Sequence, residues 1–238
     1  MPPRPDVTIR GALDSFATEQ AIKGVKPADV ADACHLLCDY LDGYAYQSLE
    51  PDEHARWESA WNADEEAGAF SNIFGPEKIP PEISMFLSWF MVRKVMSSAA
   101  FLRATGRTMT ALLEWLADQG HVEREIAEDL AVTSKEATTA LPAAERLARA
   151  LGDTIPRRPP ASITEERDLV GEMCAISRIE PGRLWISPWP GEEIGPVRIP
   201  KEASAMARVG WEISALHLAR ISGRPGWTIL GMGNVYPL

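Results

Sequence analysis

The chain has 238 residues, 45% hydrophobic and 24% charged, with a formal net charge of −10 at pH 7. This is the composition of an ordinary globular protein able to bury a core. It excludes a membrane span, since no run approaches the roughly 18 apolar residues needed, and the opening MPPRPDVTIRG has no signal-peptide core.

Three cysteines leave at least one unpaired, so a reduced, cytoplasmic setting with no membrane association is expected. The oligomeric state is not legible. The charge is segregated: residues 1–80 hold 6 basic and 15 acidic residues, 81–160 hold 10 of each, and 161–238 hold 8 and 9. A polyanion binder normally shows a basic face, so the surface as a whole disfavours nucleic acid, while the middle of the chain remains eligible for that role.

In chain order, residues 1–26, with their early prolines, read as a loosely ordered arm with a turn or two of helix around Leu13 and Phe16. A helix is expected from Pro27 to about Asp42, with Val30, Cys34, Leu37, Leu41 and Tyr44 inward. Another is expected from Pro51 to about Ala67, with Trp57 and Trp61 one turn apart over an acidic outer face. FSNIFGPEKIPP (residues 70–81) is a loop by its Gly and Pro content, pinned by Phe70, Ile73 and Phe74.

Residues 83–120 are the centre. Ile83, Phe86, Leu87, Phe90, Met91 and Val95 form one apolar stripe and Met85, Trp89, Val92 and Met96 a second, a pattern that predicts burial on every side. From Ser98 an amphipathic helix follows, closed by Gly120. Between Glu82 and Glu114 there is no acid but four bases, Arg93, Lys94, Arg103 and Arg107.

Two more helices are expected, His121–Ala131 and Thr133–Leu151, the second restarted or kinked at Pro142. GDTIPRRPPASIT then breaks every period and reads as a linker, 153–163, between a helical domain (27–152) and a second domain (164–238). There the pattern turns strand-like: about 168–178, 183–187, 194–199, 209–221 and 226–236, with a short helix at KEASAMAR after the third strand. The fold class is therefore α+β, a helical domain followed by a five-stranded β-barrel of OB-like or SH3-like order.

Cys34-His35-x-x-Cys38 supplies one pair of thiols where zinc sites use two, and Cys34 lies on an apolar stripe, so core packing is the better reading and no metal or cofactor is expected. No phosphate loop, dinucleotide fingerprint, metalloprotease helix or nucleophile elbow occurs. Glu165, Glu166, Asp168, Glu192 and Glu193 read as solvated charge at a linker end and a turn. The expected activity is binding without covalent chemistry.

FLSWFMVRKVMSSAAFLRATGRTMTALLEWLADQG, within residues 83–120, resembles the SAM-like core-binding domain of tyrosine recombinases and phage integrases: an FL-x-aromatic segment, a serine-initiated helix and a W-L-A-x-x-G ending. The resemblance implies phosphate contacts at Arg93, Lys94, Arg103 and Arg107. It does not carry over catalysis, because the family's helical catalytic domain is far larger than residues 161–238, and His217-x-x-Arg220, with Tyr236, falls in predicted strands.

The barrel adds a second lead, since OB-type barrels stack bases on exposed aromatics beside basic residues. Trp185 and Trp189, with Arg183, Arg198 and Arg208, are the candidates, whereas Trp211 and Trp227 read as core. Two partners are thus expected as alternatives: nucleic acid, met by the helical bases and the barrel, or a protein bound by an adaptor through the Trp57/Trp61 helix, the acidic face or the barrel. An acidic arm covering the basic stretch would reconcile the charge with the first.

Overall fold

The computed structural model describes residues 7–65, 67–158, 160–189 and 191–237. It is mixed α and β, a helical N-terminal part followed by a closed β-barrel. Two compact units are formed, Met1–Met91 with Ala100–Thr138, and Val92–Ala99 with Thr139–Leu238.

In the first unit, the segment expected to be an arm builds the core. Thr8 caps α1 (Ile9–Glu19), its side chain accepting from the Gly11 N–H at 3.2 Å. Ile9, Ala12, Leu13 and Phe16 share one face and are buried. Arg10 joins α1 to later elements: Nη2 lies 3.0 Å from Asp42 and 2.9 Å from Ser71, and Nε donates to Asn72. Residues 1–6 of the expected arm lie outside the described residues.

The next helix, α2 (Pro27–Tyr44), buries Val30, Cys34, Leu37 and Leu41 as their spacing predicts. α3 (Pro51–Ala63) stops one turn short of expectation. The expected loop holds α4 (Phe70–Ile73) and 3₁₀ turns at 76–78 and 80–82, and Phe70, Ile73 and Phe74 pin it to the core. Glu82, buried beside it, accepts from Tyr40 and Ser48 at 2.6 Å each, so its desolvation is offset by two hydroxyl donors.

α5 (Ile83–Met85), a π turn (Phe86–Phe90) and α6 (Met91–Arg93) run on without a break. The first apolar stripe is buried from Ile83 to Met91. The second is not: Met85 is 50% exposed and Met96 fully so. Aromatic packing comes from the side where Tyr40 and Tyr44 meet Phe86, Phe90 and Trp89. α7 (Ala99–Asp118) buries Leu102, Thr105, Met109, Leu112, Leu113 and Leu116. Gly120 closes it at φ +75°, with the His121 N–H returning to the Leu116 carbonyl at 2.9 Å.

α8 (Arg124–Gly152) is one helix where two were expected. Across the expected break the hydroxyls bond back to their own helix, Ser134 to the Leu130 carbonyl and Thr138 to that of Ser134. Pro142, inside α8, has no N–H to give the Thr138 carbonyl. The division between the two units falls there, between Thr138 and Thr139, rather than at the proline-rich segment.

The second unit contains β1 (Ile163–Glu180), β2 (Arg183–Pro188), β3 (Ile194–Arg198), α9 (Lys201–Met206), β4 (Glu212–Ile221), β5 (Trp227–Gly231) and β6 (Val235–Tyr236). The last expected strand is split into β5 and β6 around Gly233. Strands run in the order β1-β2-β3-β5-β4, with β4 pairing back on β1 and β3 parallel to β5. That order, with a helix between β3 and β4, is OB-type rather than SH3-like. Leu184, Ile186, Val197, Leu216, Leu218, Trp227 and Ile229 fill the core together with Ala144, Leu147 and Leu151 of α8.

Candidate functional site

Alternation along β2 sends Leu184 and Ile186 into the core and leaves Arg183 and Trp185 on the outer face. The β1–β2 hairpin turns at Pro181-Gly182, which fixes the pairs Glu180 with Arg183 and Arg178 with Trp185. On the other side, Arg198 of β3 lies directly opposite Arg183, with Val197 inward. Arg178, Arg183, Trp185 and Arg198 therefore share one face of three adjacent strands.

The Arg178 guanidinium sits 3.6 Å from the Trp185 ring centroid. A weakly hydrated planar cation suits that position, and the contact gains from the ring's negative face. Behind the ring the backbone of Gly195 closes in: a Cβ there would lie 2.1 Å from Trp185 Cδ1. Trp185 is only 8% exposed, so the surface it offers is the guanidinium held over it. Arg183 reaches Glu180 at 3.8 Å. Among the described residues neither Arg178 nor Arg198 has an ion-pair partner. Two arginines directly opposite across a ladder repel each other, an arrangement an anion would relieve.

The remaining candidates lie elsewhere. Trp189, in the β2–β3 connection, is 86% exposed. Arg208 donates Nη1 to the carbonyls of Ala205, Met206 and Ala207, so it caps α9 rather than joining the face. Arg93 and Lys94 are exposed at and just past the end of α6. Arg103 and Arg107 are exposed one turn apart on α7, and Arg107 donates to the Gly24 carbonyl at 3.3 Å. Gly24, after α1, thus meets Arg107 through its carbonyl rather than through a carboxylate.

Sequence reasoning missed Arg178 and Gly195. The first was within reach, because counting back from Pro181-Gly182 puts residue 178 opposite 185. Gly195 had no signal, since its role depends on where a neighbouring strand's ring lies.

Other groupings do not assemble a reactive site. Glu165 lies 3.5 Å from Arg167 and 3.3 Å from Arg220, and Arg220 covers Trp227; with Glu172, Glu192, Glu193 and Leu169 they line a cleft of about 460 Å³. His217 faces Glu166 at 3.6 Å. Tyr236 pairs with Glu212, eight residues along β4 from Arg220, or roughly 27 Å at strand rise. The two are too far apart to act together. Burial pushes the thiols up, Cys34 to about 12 and Cys38 and Cys174 to about 11. They are poor nucleophiles and behave as core. Among the described residues no three His, Cys, Asp or Glu side chains are placed to hold a metal ion.

No family model, curated protein or solved structure matches this chain. Among the described residues no helix is long and apolar enough to cross a membrane.

Proposed function

We propose that this protein binds single-stranded nucleic acid, without covalent chemistry, across the outer face of β1, β2 and β3. The observation that carries the reading is the Arg178 guanidinium 3.6 Å over the Trp185 ring beside the opposed Arg183 and Arg198. A guanidinium plane accepts a base by stacking, and the two neighbouring arginines take the phosphates that flank it. Trp189, on the adjoining connection, offers a second stacking surface. The resemblance of residues 83–120 to a DNA-clamping domain points the same way and gives Arg103 and Arg107 a secondary phosphate contact. The protein's setting in this reading is the cytoplasm, in keeping with three free, buried thiols.

The test is fluorescence anisotropy of labelled single- and double-stranded oligonucleotides against the full-length protein at low and near-physiological salt. Single strands should bind more tightly than duplex, with affinity falling as salt rises, and Arg178→Ala should weaken binding several-fold. No binding at low salt, or binding indifferent to Arg178→Ala, overturns the reading.

A further inference from the structure

Within the helical unit an apolar groove of about 390 Å³ runs between the segment 77–81 and the start of α8. Its walls are Pro80 and Pro81 on one side and Val122, Ile126 and Leu130 on the other. Ile126 is 45% exposed, although its position on a 29-residue helix leaves it free to be polar. The groove is preformed. One wall is stiffened by consecutive prolines, and the other is held by the helix closure at Gly120 and by the Arg124–Asp118 ion pair at 2.5 Å. Two carboxylates, Glu77 and Glu123, and the His121 imidazole line it, and among the described residues no lysine or arginine does. Glu125 and Asp129 lie exposed on the same end of α8.

An apolar floor with two carboxylates on its rim favours one kind of occupant. Water gains little from a bare apolar trough, and an acidic peptide would be repelled. We infer that this groove docks a basic peptide segment of a partner protein, one apolar side chain seated against Pro80 and Ile126 and flanking lysines or arginines meeting Glu77 and Glu123. The chemistry is distinct from that of the barrel face, where the charge has the opposite sign. A protein that holds a polyanion on one unit and a basic segment on the other would bring the two kinds of partner onto one chain.

Four short fluorescein-labelled peptides test the inference against the full-length protein: lysine with leucine, glutamate with leucine, lysine with serine, and serine alone. The lysine–leucine peptide should bind roughly tenfold or more tightly than the other three. Ile126→Gln, which keeps a good helix former at an exposed site, should cost about tenfold in that affinity and leave oligonucleotide binding unchanged. Glu77→Gln with Glu123→Gln should weaken binding and flatten its salt dependence. Circular dichroism melts check that each variant is folded. Equal binding of the glutamate–leucine or lysine–serine peptide, absence of binding, or indifference to Ile126→Gln overturns the inference. So does self-association in sedimentation that Ile126→Gln abolishes, since the occupant would then be a second copy.

Discussion

The two arginine pairs of this protein, Arg103 with Arg107 on a helix and Arg183 with Arg198 across a sheet, make instructive opposites. The helical pair stands out in sequence, because it sits in an acid-free stretch of a strongly acidic chain. In the fold it is two charges on a solvated face, one of them occupied by the Gly24 carbonyl. The sheet pair is inconspicuous in sequence, fifteen residues apart among ordinary strands. Strand register brings it together, beside a third arginine locked to a tryptophan. Local charge density along a chain is thus a weaker guide to a polyanion site than convergence across strands, because a phosphate and a base need a cation and a plane at once.

The largest effect is expected at Gly195. Gly195→Val drives side-chain atoms into the Trp185 ring and should cost about 2 kcal/mol of stability while abolishing oligonucleotide binding; denaturant melts and anisotropy read the two effects together. Retained binding with a lowered melt would mean that the Arg178–Trp185 platform is not the site. Arg183→Glu with Arg198→Glu should weaken binding by about tenfold or more and reduce the salt slope of log K by about 1.4, two phosphate contacts on a single strand. Melting should be unaffected or slightly lowered, because one like-charge pair replaces another and the Arg183–Glu180 contact is lost. Arg103→Glu with Arg107→Glu should change affinity by only about two- to threefold, the effect of a peripheral contact. If it instead exceeds the sheet pair, the helical stretch is the primary surface and the ranking of the two pairs reverses.

Much of the barrel was legible because strands announce themselves by period-2 alternation and by glycine-proline turns: EPG, PWPG and SGRPG each mark a real connection. The helical unit was harder at its ends. Three prolines near the start suggested disorder, yet Ile9, Ala12, Leu13 and Phe16 form a complete buried stripe at i, i+3, i+4 and i+7. The stripe was the better guide, since burial of four apolar side chains outweighs the composition of the residues preceding them. Met85 and Met96 show the converse, an apolar face without a covering neighbour, which no periodicity can report. Of the candidate site, Arg183, Trp185 and Arg198 came from composition and strand pattern, but their meeting on one face depends on pairings that the side chains alone do not encode.

Pro142 and the helix that contains it have a practical consequence for dissecting the protein. The proline-rich segment 153–163 looks like the place to cut, but Ala144, Leu147 and Leu151 precede it and belong to the barrel's core. A fragment begun there would leave the barrel's apolar filling open to water and prone to aggregation. A fragment begun at Thr139 keeps nearly four turns of α8, to Gly152, as the plug, and Pro142 then falls in its first turn, where a proline without an N–H is at home in a helix.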